Sequence, residues 1–148
     1  MDKKLVYTKL LIELQEKQRF LISELKALTS SLETSSKSSA GDKHETDTAM
    51  NQLAQEQLHK QFGAVQMQLD LLNQLNPSPT HTRCAFGSLV QTSKNYFFIS
   101  VGIGKISVDN YEVICINLQS PVGQLLHKKT VGEDLIIGNE QHEIVKIS

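Results

Sequence analysis

Tryptophan is absent from this sequence, and aromatic residues make up only 5% of its 148 residues. Since the largest apolar side chains are so few, we expect any compact core to be aliphatic and of modest size. The formal net charge is −1, with 15 basic and 16 acidic residues. The overall charge therefore gives no reason to expect direct binding to nucleic acid or to a membrane surface. The length fits one ordinary domain or two small pieces.

Long hydrophobic runs are missing as well. No stretch approaches the roughly 20 apolar residues of a membrane-spanning helix, and the residues after Met1 lack the apolar core of a signal peptide. The two cysteines, Cys84 and Cys115, lie in strand-like segments without C-x-x-C spacing. That pattern is typical of buried, reduced thiols. We therefore expect a cytoplasmic protein that does not bind membranes.

The first 75 residues have the apolar spacing of two helices. Residues 5–33 contain neither Gly nor Pro, and residues 34–41 between the two periodic segments are rich in Ser and include Gly41. We predict an antiparallel coiled-coil hairpin over residues 1–75, with its tip near 34–46, because this break disfavours the alternative of one long helix in a parallel dimer. Steps of three and four separate the seam positions, which are Leu11, Leu14, Gln18, Leu21, Leu25, Leu28 and Leu32, then Leu58, Phe62, Val65, Leu69 and Leu72.

The second half has a different pattern. Pro77 and Pro79 end the second helix and predict a short, stiff linker over residues 76–80. We predict that residues 81–148 form a small antiparallel β-domain with one short helix, which makes the whole chain α+β. The predicted elements are strands at 85–90, 96–101 and 111–116, a helix from Ser120-Pro121 to about His127, and a closing hairpin whose strands, 135–137 and 143–147, flank residues 138–141.

No motif of enzyme chemistry can be assembled in this half. The Gly102-x-Gly104-Lys105 sequence lacks the length and the Ser/Thr position of a phosphate-binding P-loop. The five histidines are scattered without metal-ligand spacing, so we expect them at solvated positions. We predict that this half is a docking domain.

Two carboxylates stand where the second helix is expected to begin. Gly41 favours a turn, Asp42 is a good helix cap, and Glu45 follows three residues later. This spacing is an acidic variant of the capping box, which occurs on many helices without any function. Capping alone explains the pair, and a function in addition to capping stays open at this point.

Taken together, these motifs resemble those of the bacterial Gre transcript-cleavage factors. Gly41-Asp42-x-x-Glu45 matches the tip of the Gre hairpin, and the order of several C-terminal motifs matches the Gre C-terminal domain, which implies an FKBP-like fold for residues 81–148. Those motifs are Gly104-Lys105-Ile106-Ser107-Val108, Ser120-Pro121-Val122, Lys129-Thr130-Val131-Gly132-Glu133-Asp134 and Glu143-Ile144-Val145-Lys146-Ile147.

The resemblance implies a transcription elongation factor that binds RNA polymerase through its secondary channel. Asp42 and Glu45 match the acids that help hold a second Mg²⁺ at the polymerase active site, where backtracked transcripts are cleaved. Ser120 and Pro121 match the part that touches the channel rim. On this resemblance the chain is a monomer that stimulates the polymerase's own nuclease, binds no cofactor stably and contacts transcript RNA only indirectly.

The sequence departs from the Gre pattern at the tip and at the rim contact. Lys43 and His44 stand between the acids, where apolar and hydroxyl residues are usual, and Gln119 replaces an acid that often precedes Ser-Pro. A cation beside the acids weakens their attraction for Mg²⁺. Two alternatives therefore stay open: a channel-binding regulator without cleavage activity, and a coiled-coil interaction module with an unrelated partner.

Overall fold

The structure is a computed structural model that describes residues 1–36 and 41–148, and the side chains of residues 1–34 and 45–148. A long N-terminal helical hairpin is followed by a six-stranded sheet and a short helix, so the predicted α+β fold is confirmed. The elements are α1 Lys3–Ser36, α2 Gly41–Asn73, β1 Leu89–Thr92, β2 Tyr96–Ser100, β3 Gly104–Val108, β4 Tyr111–Asn117, α3 Pro121–Leu126, β5 Asp134–Ile137 and β6 Glu140–Ile147.

Two compact units divide the chain. We call residues 1–12 and 70–148 the sheet unit, and residues 13–69 the helical unit. The first turns of α1 and the last turn of α2 thus belong to the same unit as the strands. Within it, the Tyr7 hydroxyl donates a hydrogen bond of 3.3 Å to the carbonyl oxygen of Leu72, and Val6 and Leu10 are fully buried.

The sheet has the strand order β3-β4-β2-β1-β6-β5. Its pairs are antiparallel except for β2 and β4, which run parallel with Phe98 opposite Cys115. The sheet is thus mostly antiparallel, as predicted, and this pair is the exception. Strand β3 was not predicted. It lies at the edge of the sheet and pairs with β4. The chain therefore passes from β2 to this edge and then returns as β4, which lies between β2 and β3.

Both faces of the sheet are buried around its central strand. Successive residues of a strand point to opposite faces, and Phe97, Phe98 and Ile99 of β2 are all at most 2% exposed. One face packs against α3 in an aliphatic core, as the composition predicts. That core comprises Cys84, Val90, Phe97, Ile99, Ile116, Leu126, Leu135 and Ile144.

Two side-chain predictions have opposite outcomes. Cys84 and Cys115 are free and buried, as predicted, and burial raises the pKa of their thiols to about 11 and about 12. The expectation of solvated histidines is wrong for His142, which is 1% exposed. Its Nδ1 lies 3.0 Å from the Thr92 hydroxyl, so this histidine is a satisfied core residue.

Candidate functional site

The predicted metal-binding acids lie in the first turn of α2. This helix begins at Gly41, so Asp42 is its second residue and not the cap that the sequence predicts, and Glu45 follows three residues later. Glu45 is exposed. The side chain of Asp42 and all of residues 37–40, which include part of the predicted tip, lie outside the described residues.

The helical unit has a narrow apolar seam. Its buried apolar side chains, among those described, are Leu14, Leu21, Val65 and Leu69. At the polar position of the seam, Gln18 Nε2 donates a hydrogen bond of 2.7 Å to Gln66 Oε1. The predicted seam is thus confirmed at these positions, with a polar contact across the two helices in the middle.

Beyond this seam the hairpin has little interior. None of the described residues from 22 to 64 is buried, and several large apolar side chains are exposed, including Phe20, Met50 and Met67. A groove of about 500 Å³ lies between the helices, with Ile22, Leu25, Phe62 and His59 among its lining residues. This part of the molecule therefore presents apolar surface that the helical unit does not cover itself.

The predicted docking residues form a rigid corner before α3. Ser120 is the N-cap, as predicted: its Oγ accepts a hydrogen bond of 3.1 Å from the N–H of Gly123. The same hydroxyl donates to the carbonyl oxygen of Asn117 at 2.7 Å. Asn117 Oδ1 in turn accepts the N–H of Gln119 at 2.9 Å. Because this network fixes the backbone, the exposed Pro121 is held in one position on the surface.

Sequence reasoning missed two residues of this corner. Gly123 is buried where the helix approaches the preceding loop, and a Cβ there would lie 2.1 Å from the carbonyl oxygen of Asn117. Leu125 is 45% exposed on the same helix as Pro121. A glycine inside a predicted helix was the available signal for a close backbone approach, whereas the exposure of a single leucine leaves no signal in sequence.

The motif of residues 129–134 has a structural explanation. Glu133 Oε2 accepts hydrogen bonds from the N–H of Thr130 at 2.6 Å and from its hydroxyl at 3.0 Å. Lys129 Nζ lies 3.2 Å from Glu133 Oε1. The backbone hydrogen bond, followed by those from the Lys129 and Thr130 side chains, lowers the pKa of the Glu133 carboxyl. This acid therefore closes a turn between α3 and β5.

Residues 102–105, which contain the Gly-x-Gly-Lys sequence, lead into an edge strand of the sheet. Gly104 has φ +89 and opens the edge strand β3, and Lys105 Nζ pairs with Glu112 Oε2 of β4 at 2.9 Å. A P-loop instead opens a helix whose N–H groups receive the phosphate.

In the described parts of the chain, no three His, Cys, Asp or Glu side chains are grouped as metal ligands. No described helix is long and apolar enough to cross a membrane.

Comparison with models of known protein families gives no match, and no curated protein sequence matches the chain. The resemblance to the Gre factors therefore depends on the motifs and their order. The acids of the first turn of α2 and the corner at Ser120-Pro121 are the two places where this resemblance predicts a function.

Proposed function

We propose that this chain is a Gre-type factor that binds RNA polymerase and stimulates cleavage of backtracked transcripts. The hairpin enters the secondary channel and brings Asp42 and Glu45 to the polymerase active site. The corner at Ser120 and Pro121 docks on the channel rim. The polymerase is the enzyme, and this chain supplies two acids.

One observation supports this function above the others: α2 begins at Gly41. Both acids are therefore in the first turn of a helix, next to the point where α1 has ended at Ser36. A 34-residue helix such as α1 rises about 50 Å, which is a reach suited to a deep channel. Had α2 begun after residue 45, the two acids would have been in a loop without a fixed spacing.

The donor set suits Mg²⁺ at a shared site. Mg²⁺ is commonly bound by one or two carboxylates together with phosphate oxygens and water, so two acids complete a site that the polymerase and RNA begin. When bound there, the ion favours formation of hydroxide and in-line attack on a phosphodiester. The role of Asp42 and Glu45 is to hold negative charge on one face of the helix, and the exposure of Glu45 leaves that carboxylate accessible.

The exposed apolar surface of the hairpin also supports a partner that encloses it. No described residue from 22 to 64 is buried, while Phe20, Met50 and Met67 are all more than 60% exposed. These side chains lie on both helices, where a partner that encloses the hairpin would cover them.

Asp42→Asn combined with Glu45→Gln tests the proposal. Both acids lie in the first turn of α2, where a negative charge contributes about 0.3–1 kcal/mol through the helix dipole, so we expect their neutralisation to lower the stability by no more than about 2 kcal/mol. The change removes both charges that Mg²⁺ needs. We expect the variant to bind core RNA polymerase as the wild type does and to lose stimulated transcript cleavage, measured on a stalled, backtracked complex.

A control with the same change in charge is available further along α2. Asp47→Asn with Glu56→Gln alters two exposed acids of that helix, and we expect cleavage to continue. Equal cleavage by the wild type and the Asp42/Glu45 variant contradicts the proposal. Binding without cleavage by the wild type favours a channel regulator, as Lys43 beside the acids would explain, and absence of binding favours an unrelated partner.

A further inference from the structure

The lysines and arginines of residues 81–148 differ in whether an acid compensates their charge. Three of them lie within 3.3 Å of a carboxylate oxygen, and these are Lys94, Lys105 and Lys129. The other three are Arg83, Lys128 and Lys146, which are all exposed. No ion pair among the described residues includes Arg83 or Lys128. Their positive charges are therefore available to a partner.

Arg83 and Lys128 belong to two segments whose backbones are bonded to each other. The N–H of Lys128 donates a hydrogen bond of 2.8 Å to the carbonyl oxygen of Cys84, and the N–H of Cys84 donates one of 2.8 Å to the carbonyl oxygen of Lys129. Cys84 is 1% exposed and belongs to the aliphatic core. Because a core residue anchors both segments, the two exposed cations are held beside each other on the surface of the sheet unit.

The acids of the same loop leave these two cations uncompensated. Glu133 accepts hydrogen bonds from Thr130 and pairs with Lys129. Asp134 begins β5, where it lies opposite Glu143 of β6. Neither carboxylate forms an ion pair with Arg83 or Lys128 in the described structure, so a local excess of positive charge stays at the surface.

Exposed apolar side chains accompany the two cations along the chain. Pro121 and Leu125 lie four residues apart on α3 and therefore on one face of it, and Leu125 is 45% exposed. The helix ends one residue after Leu125 and leads to Lys128, and Val131, further along this loop, is 56% exposed. We call Arg83, Leu125, Lys128 and Val131 the basic patch. It continues the exposed face of α3 that begins at Pro121.

The composition of the basic patch favours a protein partner over nucleic acid. Proteins that bind a nucleic-acid backbone commonly neutralise about 6–10 phosphates, whereas the patch provides two permanent cations. Proteins that bind single strands stack bases on aromatic side chains, and none of the four residues is aromatic. Two cations beside exposed Leu125 and Val131 are complementary to a protein segment that has both carboxylates and apolar side chains.

We propose that the basic patch binds an acidic, partly apolar segment of RNA polymerase at the channel rim. This inference rests on the proposed function and adds the charge of the docking surface to it. Carboxylates of the polymerase face Arg83 and Lys128 beyond the C-terminal end of α3, whereas apolar groups face Leu125 and the contact at Pro121. Charge pairs at the edge of an interface mainly raise the association rate and make the affinity depend on salt.

Reversal of both charges tests the inference. Arg83→Glu with Lys128→Glu places like charges opposite the acidic segment, so we expect the full chain to bind core RNA polymerase roughly tenfold more weakly at about 50 mM salt. The matched control is Lys4→Glu with Lys146→Glu, which changes the net charge by the same amount at exposed lysines of α1 and β6. We expect a much smaller loss there. Equal losses in the two double variants assign the effect to overall charge and contradict the inference.

Two further measurements do not depend on how the charge-reversed chain folds. Arg83→Gln with Lys128→Gln, which removes the charges without reversing them, should bind more weakly than the wild type and show a shallower salt dependence. The wild-type affinity itself should fall between about 50 and about 300 mM salt as the charges are screened. An affinity that is constant over this range overturns the inference.

The remaining outcomes separate this inference from the proposed function. If the patch variants bind core polymerase as the wild type does and lose affinity only for a backtracked complex, the patch holds transcript RNA and the inference is wrong. Binding of the wild type with no effect of the patch variants contradicts this inference alone. Absence of wild-type binding to core polymerase contradicts the proposed function and this inference with it.

Discussion

The sheet unit and the helical unit differ in how they bury apolar side chains. Central strands of the sheet unit contain Val90, Phe98, Ile99 and Val113 with no exposed surface at all. In the helical unit the buried seam stops at Leu21 on α1 and begins at Val65 on α2, and the described residues from 22 to 64 have none. Since burial provides most of the stabilisation of a fold, stability is concentrated in the sheet unit.

This difference indicates a division of roles. A unit with its own core keeps the corner at Ser120 in fixed geometry. A helix pair with little interior depends on local helix stability and, on the proposed function, on a surrounding partner. The four predictions that follow test this difference between the two units.

The largest effect is expected from truncating a central aromatic residue. Phe98 is fully buried and Phe20 is 62% exposed, and both are phenylalanines. Phe98→Ala should lower the free energy of unfolding by about 3–5 kcal/mol because it leaves a cavity. Phe20→Ala should change it by about 0.5 kcal/mol or less. Urea unfolding followed by circular dichroism measures both, and similar losses would refute the contrast.

Substitution of two glycines by alanine is expected to change the free energy of unfolding in opposite directions. At Gly123 a Cβ would lie 2.1 Å from the Asn117 carbonyl oxygen and 2.7 Å from that of Leu118, and neither backbone atom can move away freely. Gly123→Ala should therefore destabilise the sheet unit by about 1–3 kcal/mol or more. Gly63 in α2 has nothing within 4 Å of that position, so Gly63→Ala should stabilise the helix by roughly 0.5–1 kcal/mol.

Thermal unfolding of the two alanine variants measures this pair directly. A rise in Tm for Gly63→Ala together with a fall for Gly123→Ala is the expected result. If Gly123→Ala leaves Tm unchanged, the corner before α3 is not held as tightly as the distances indicate, and its fixed presentation of Pro121 is contradicted.

A smaller effect is expected at the docking corner, where the change affects binding and not stability. Pro121 is exposed and its backbone is fixed by the Ser120 cap. On the proposed function, Pro121→Arg should weaken binding to core RNA polymerase roughly tenfold, which corresponds to about 1.4 kcal/mol. The control is Asn139→Arg at an exposed position of the β5–β6 turn, which adds the same charge elsewhere. Equal affinities of the two variants for core RNA polymerase would indicate that the polymerase contacts another surface of the protein.

Local patterns in the sequence predicted the local features well. The spacing of Leu14, Leu21, Val65 and Leu69 predicted the seam, and Ser120 followed by Pro121 predicted the cap and start of α3. These features depend on residues within a few positions of one another, where helix periodicity and capping chemistry are visible. The cap predicted at Asp42 is the exception, because α2 begins one residue earlier, at Gly41.

Features that depend on distant residues were missed. Strand β3 begins at Gly104, whose two-glycine setting resembles a loop, and the parallel pairing of β2 with β4 depends on a crossover through that strand. The hydrogen bond from Lys3 Nζ to the Pro79 carbonyl oxygen joins residues 76 positions apart, and nothing near either of them marks the contact. Of the predicted site, Ser120 and Pro121 form the predicted start of α3, while their docking role and the pairing of Asp42 with Glu45 at a metal stay predictions.

Hydrogen exchange of the full chain, alone and with core RNA polymerase, tests the contrast and the proposed function together. In the free chain we expect slow exchange for amides of β2 and β4 and much faster exchange for those of residues 45–64, because local opening is easy where nothing is buried. With polymerase present, residues 45–64 should become protected while β2 and β4 change little. Strong protection of residues 45–64 in the free chain, or none added by polymerase, would contradict the account.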